Sequence, residues 1–287
     1  KERRFAPLFA GLCLGAFGDN LFRNALVVLI QFRLAQQMGF DAAALVALAP
    51  GVFMLPYVLF STLSGQVADK VDKAQLMRRL KFIDIGLMVL AGVSLILGHI
   101  TFMFVVLFLA GLQSTFYSPV KYAILPQHLK PEELLTGNAL VGAGTYLAIL
   151  LGTICGGILI LVDHGVYIVA AAMVMISILG WISSLFIPTA PAGAPDLKLN
   201  FNIITETLWL IRHVLSVPTL GLIILGHSWF WFVSTLYVGQ MPSMVQGVLH
   251  STQGVFTLFF TIFSVGIAAG ALTVRRMLGR ELDGRFT

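Results

Sequence analysis

Asp19, Asn20, Arg23 and Asn24 interrupt an otherwise apolar run from about Leu8 to Leu34. Asp19 and Arg23 are one helical turn apart, which puts an acid and a base on one stripe of a helix. In hydrocarbon such charges cost about 2.5 kcal/mol or more each unless they are paired or wet. Two readings follow. The residues form a self-satisfied ion pair, or they line a cavity that takes a zwitterionic headgroup. In the second case the carboxylate suits an ammonium, and the guanidinium suits a phosphate in bidentate fashion.

A second set, Gln113, Tyr117 and Lys121, repeats at helical spacing in another apolar run, with Pro119 between the last two. Lys121 either meets a phosphate or snorkels to the interface. Gln113 either bonds a headgroup or ties helices together. A third stretch, Gly65 to Arg79, concentrates charge: Asp69, Lys70, Asp72, Lys73, Arg78 and Arg79, with Lys81 just beyond. Asp84 follows near the start of the next apolar run. A short basic loop between two such runs faces water, and by the positive-inside rule it faces the cytoplasm.

Enzyme chemistry finds little purchase. None of the six histidines is followed five positions on by an Asp, as a membrane acyltransferase would want. There is no Gly-rich loop ending in Lys-Ser or Lys-Thr, no metal-spaced Cys/His cluster and no G-x-S-x-G elbow. Cys13 and Cys155 both fall in apolar runs, so neither a disulfide framework nor a metal site is indicated. No cofactor is implied. His99, His164 and His250 fall in turns, while His227 lies inside an apolar run, as a proton relay or as a bystander.

The elements that must position these residues are membrane helices. Of the 287 residues, 58% are hydrophobic and only 11% charged, against roughly 25% charged in soluble domains. The sequence predicts an all-α polytopic membrane protein. Eight spans are expected, at about Leu8–Leu34, Ala43–Leu63, Phe82–Leu97, Phe102–Ile124, Thr136–Val162, Val166–Ile187, Leu220–Met241 and Gly254–Val274. With the Gly65 loop placed inside and the spans alternating, all 18 Lys and Arg residues except Arg23 and Arg33 fall at or beyond cytoplasmic ends. The N-terminus is then cytoplasmic too. This scatter of positive charge is a topology signal, and nucleic acid is not an expected partner.

Pro188 to Pro195 read as a linker, and Asn200–His213 as an amphipathic surface helix with Phe201, Ile204, Leu208 and Ile211 on one face. Three regions are expected: a six-helix half at 1–187, a cytoplasmic linker at 188–217, and the start of a second half at 218–287. The Gly65 string has a weak echo at Gly270 to Arg276, which fits two repeated halves. In the fifth span, Gly142, Gly144, Gly152, Gly156 and Gly157 make a close-packing surface. Trp229 and Trp231 suit a lipid-tail path or an aromatic belt.

Gly65-Gln66-Val67-Ala68-Asp69-Lys70, followed by Lys73 and Arg78-Arg79, resembles the loop signature of the major facilitator superfamily. Ala16-Phe17-Gly18-Asp19-Asn20, Tyr117 to Leu125 and Leu150 to Gly157 resemble its bacterial lysophospholipid transporter branch. Trp229 to Phe232 and Gln240-Met241-Pro242 are more similar to forms fused to an acyltransferase and an acyl-carrier-protein synthetase.

The resemblance implies a major facilitator fold of twelve helices, of which about eight are present. It implies a flippase moving lysophospholipids such as lysophosphatidylethanolamine across the bacterial inner membrane by alternating access, for re-acylation by a fused or associated acyltransferase. It places spans one, four and seven around the central cavity, with Asp19, Asn20, Arg23, Gln113, Tyr117 and Lys121 as the substrate site. It makes Gly65, Asp69, Lys73, Arg78 and Asp84 a gate, in which Asp69 pairs with Lys73 or Arg78 and caps a helix of the other half. The free-standing transporters carry an Arg in span seven, and here no Lys or Arg stands between Arg212 and Arg275. The rival functions are a proton-coupled exporter of small amphipathic compounds and a membrane anchor module for a fused acyltransferase.

Overall fold

The computed structural model describes residues 2–34 and 42–247, with isolated positions from 249 to 270. Two compact units are present, Lys1–Phe201 and Asn202–Thr287.

In the first unit, α1 (Glu2–Leu29) runs on into a single π-helical turn, Ile30–Leu34. Next come α2 (Ala42–Lys70), α3 (Lys73–Leu97) and α4 (Ile100–Ala123). After a one-turn piece at Leu125–His128 come α5 (Pro131–Leu159) and α6 (Gly165–Leu185). All six are long and apolar enough to cross a membrane. Local chemistry sets their ends. Asp72 accepts the Gln75 N–H at 2.8 Å and starts α3, and Gly98, at φ 66°, stops it in the left-handed region. Pro131 opens α5, where the Glu133 carboxylate accepts the Lys130 N–H at 3.2 Å.

The sequence reading of the α2–α3 connection needs correction. α2 extends to Lys70 and α3 begins at Lys73, so only Val71 and Asp72 lie between them. Gly65 is therefore inside a helix. Lys81, counted from the sequence as cytoplasmic charge, lies eight residues into α3, about 12 Å along its axis. The helices outrun the apolar windows because the Asp72 cap allows α3 to begin at once.

α1 packs on α5 and α6, α2 on α4, and α3 on α4 and α6. Glycines allow the α1–α5 approach. A Cβ at Gly152 would strike the Phe17 carbonyl, and one at Gly156 would meet the Leu21 carbonyl and the Ala25 nitrogen. Gly144 lies against Phe9 and Cys13, and Gly157 against Asn24, whose amide donates to the Thr153 carbonyl at 2.6 Å. Gly142 faces open space. Two apolar clusters fill the bundle. One gathers Phe22, Leu26, Ile30, Met103 and Leu107, and the other Leu8, Leu12, Met77, Ile124 and Ile187.

The segment after α6 is bound to the α2–α3 corner. The Lys73 N–H donates to the Ala190 carbonyl at 2.8 Å, and the Ala190 N–H donates to Asp72 Oδ2 at 3.1 Å. The Ala194 N–H donates to the Asp69 carbonyl at 2.9 Å, and Gln127 Nε2 to the Pro191 carbonyl at 3.2 Å. Part of the expected 188–217 linker thus belongs to the first unit.

In the second unit, α7 (Ile203–Ser216) is capped by Asn202, which accepts the Thr205 N–H at 3.2 Å. Ile204, Leu208, Ile211 and Leu215 are exposed along it, as an amphipathic surface helix requires. α8 (Pro218–Gly247) follows, and its first part, to Val233, leaves α7 at 111°. The two helices pass the length and hydropathy test for crossing a membrane only when taken together across this bend. Most of the expected eighth, Gly254–Val274, and His250 lie outside the described residues.

Candidate functional site

Between the two apolar clusters lies a polar layer. Gly15 to Arg23 of α1, Lys81 and Asp84 of α3, and Gln113 to Tyr117 of α4 contribute to it. Asp19 and Arg23 do not pair with each other through their charged groups. Asp19 Oδ2 accepts the Ser114 hydroxyl at 3.2 Å. Arg23 donates through a terminal nitrogen to Asn20 Oδ1 at 2.6 Å and through Nε to the Asp19 backbone carbonyl at 3.4 Å. Its guanidinium lies over the Phe53 ring, 4.4 Å from the centroid. Asn20 in turn donates to the Ala16 carbonyl at 2.7 Å. Asp19 and Arg23 are half-buried, whereas Asn20 is buried.

Gln113 is helix glue in this arrangement. Its Nε2 donates to the Leu80 carbonyl of α3 at 3.2 Å. Tyr117 is half-buried, and the Lys81 ammonium lies 4.9 Å from its ring centroid. Lys121 turns to α5, donating to Thr145 Oγ1 at 3.2 Å. Thr145 follows Gly144, which faces Phe9 and Cys13, so Lys121 lies at the Cys13 level of α1. Ten residues separate Cys13 from Arg23, about 15 Å of helix. Asp19 lies between these levels. Of the six residues expected to hold substrate, the charged three therefore form an axial ladder: Lys121 toward one end, Asp19 in the middle, and Arg23 toward the other.

The residues expected to form a gate divide. Lys73 and Arg78 serve the corner below the bundle, where Arg78 Nε donates to the Ser184 carbonyl at 3.3 Å and a terminal nitrogen donates to that of Ile187. Asp69 is exposed, and among the described residues no ion pair joins it to Lys73 or Arg78. A Cβ at Gly65 would meet nothing. Asp84 belongs to the polar layer, accepting the Lys81 ammonium at 3.1 Å with both side chains buried.

Sequence reasoning passed over Lys81 and Ser114. Lys81 follows Arg78 and Arg79 and reads as more loop charge. The signal for it was Asp84 three residues on, at ion-pair spacing within one helix. Ser114 carries no charge and leaves no trace in a composition scan. Of the other candidates, His227 Nε2 accepts the Trp231 indole N–H at 2.9 Å, on an exposed face of α8. Trp229 is exposed as well. Among the described residues no group of His, Cys, Asp and Glu is placed to hold a metal ion.

A helical membrane bundle with charged side chains held inside it, and a short charged corner between its second and third helices, defines a polytopic membrane protein with an internal polar site. The chain belongs to the Major Facilitator Superfamily, which it matches over residues 10–286. It is 27% identical to the lysophospholipid transporter LplT of Enterobacter sp. (strain 638), over 93% of this chain and 64% of that protein. It is 28% identical to that of Serratia proteamaculans (strain 568), over 98% and 67%, and 27% identical to that of Escherichia coli O7:K1, over 95% and 66%. The chain thus spans about two thirds of the length of the curated relatives it matches.

Proposed function

We propose that this protein is a flippase that moves lysophospholipids, with lysophosphatidylethanolamine as the reference substrate, across the bacterial inner membrane by alternating access. The observation that carries this reading is the ladder of Lys121, Asp19 and Arg23. A lysophosphatidylethanolamine headgroup has a phosphate and an ammonium. Asp19 takes the ammonium, and the phosphate pairs with Lys121 at one stage of the cycle and with Arg23 at another. Asn20 orients Arg23, and Tyr117 closes the side of the site next to Lys121. The acyl chain stays in apolar surroundings, since each CH₂ moved into water costs about 0.8 kcal/mol. The names of the relatives support the substrate class.

In this reading the N-terminus and the α2–α3 corner face the cytoplasm, as the distribution of Lys and Arg favours. Asp69, exposed at that corner, caps a helix of the other half and latches the outward-open state. The protein itself is not an enzyme; re-acylation of the imported lipid falls to a fused or associated acyltransferase. Uptake and re-acylation of labelled lysophosphatidylethanolamine, in cells lacking their own transporter and supplied with the full-length protein, tests the function. Label appearing in diacyl lipid supports it, and cells no better than those carrying an empty vector contradict it.

A further inference from the structure

Lys81 reaches its position through a gap in α1. A Cβ at Gly15 would lie 2.6 Å from its Nζ, so only glycine lets the ammonium come this close to the helix. There it meets Asp84 at 3.1 Å and lies over the Tyr117 ring. Both ions are buried, and an isolated buried pair is a costly way to hold helices together. Gln113 binds the carbonyl of Leu80, the residue before Lys81, and so fixes α3 to α4 at this level.

Lys81 and Asp84 also share a small, partly open cavity of about 10 Å³ with Asp19, walled by Leu14, Met88 and Ile176. That is room for about one water. The formal charges of Asp19, Arg23, Lys81 and Asp84, all in the polar layer, sum to 0. Lys81 and Asp84 are buried, so screening is weak, and charges several ångströms apart still act on one another. Asp19 faces this pair on one side and Ser114 on the other.

We propose that Lys81 and Asp84 are positioning residues that set which headgroup charge the site accepts. They do so through Asp19 and the Tyr117 ring, without touching the lipid. The proposal rests on the flippase reading and adds a determinant of selectivity to it. The pair holds the charge of the layer at 0, a value that suits a zwitterionic headgroup. Making it more negative penalises anionic lysophospholipids, and making it more positive favours them.

The test is a charge series in the full-length protein. Binding of radiolabelled lysophosphatidylethanolamine and of lysophosphatidylglycerol with the same acyl chain is measured by scintillation proximity in detergent. Lys81→Met takes the sum to −1, Asp84→Asn takes it to +1, and Lys81→Met with Asp84→Asn restores 0. The ratio of lysophosphatidylglycerol to lysophosphatidylethanolamine affinity falls on the order of tenfold in the first, rises by a similar factor in the second and returns to within about twofold in the third. Lys81→Arg leaves it unchanged. Should Lys81→Met not fold, the rise in Asp84→Asn and the return in the double variant decide the matter. A ratio that stays flat while the unsubstituted protein binds lysophospholipid overturns this proposal alone. Failure of the unsubstituted protein to bind either lipid overturns the flippase reading with it.

Discussion

Ser114 donates its hydroxyl proton to the Asp19 carboxylate at 3.2 Å, linking α4 to α1 at the middle of the bundle. The acid that one-turn spacing assigns to Arg23 is thereby held by a neutral residue on another helix, and Arg23 is left to Asn20 and Phe53. An acid and a base whose charged ends do not meet remain available to a ligand that carries both charges. Ser114→Ala is expected to lower lysophosphatidylethanolamine uptake on the order of tenfold, since a hydrogen bond to a charged group is worth about 1.5–3 kcal/mol. Folded yield on size-exclusion chromatography stays unchanged. Wild-type uptake by this variant contradicts the role given to Ser114.

The α1–α5 contact gives a stability prediction with an internal control. Gly156 leaves no room beside Leu21 and Ala25, whereas Gly142 faces open space on the same helix. Gly156→Val forces the two helices apart and is expected to cost at least the 1–3 kcal/mol or so of an overpacked core. Gly142→Val is tolerated. Thermal unfolding in detergent reads the difference, and equal melting temperatures for the two variants contradict the packing described.

Asp72 uses one carboxylate oxygen to cap α3 and the other to hold Ala190. Asp72→Ala removes both. The lost cap costs about 1 kcal/mol, and the segment from Pro188 to Asn200 loses its anchor at the corner. Limited proteolysis between those residues is expected to speed up severalfold, and an unchanged digestion pattern rules the anchor out.

Asp69 is exposed and free of Lys73 and Arg78, as a residue reserved for a partner in the other half would be. Asp69→Asn is expected to move the balance of conformations, so that cysteines engineered on the two sides of the cavity exchange their reactivity toward a membrane-impermeant reagent. Unchanged labelling on both sides removes Asp69 from the gate.

Much of the fold is legible in the sequence because hydrophobic length, glycine spacing and the distribution of Lys and Arg are local signals. Six of the eight expected spans stand as separate helices, and the glycines from Gly144 to Gly157 pack as the small-residue pattern suggests. The site was less legible. Asp19, Arg23 and Lys121 stand out because charge in hydrocarbon is rare. Their partners do not, because Ser114, Thr145 and Phe53 come from other helices and carry no charge. Lys81 reads as loop charge because the extent of α3 depends on the Asp72 cap, and a hydropathy window starts the span nine residues late, at Phe82.

The measurement that bears most directly on the account is uptake and re-acylation of labelled lysophosphatidylethanolamine by the full-length protein carrying Asp19→Asn together with Arg23→Gln. Asp19→Asn is isosteric, Arg23→Gln leaves a shorter polar side chain, and both remove charge. The ladder of charges predicts that the wild-type protein supports uptake and that the double variant, inserted in the membrane in equal amount, loses nearly all of it. Full uptake by the double variant contradicts the assignment of the headgroup site to α1.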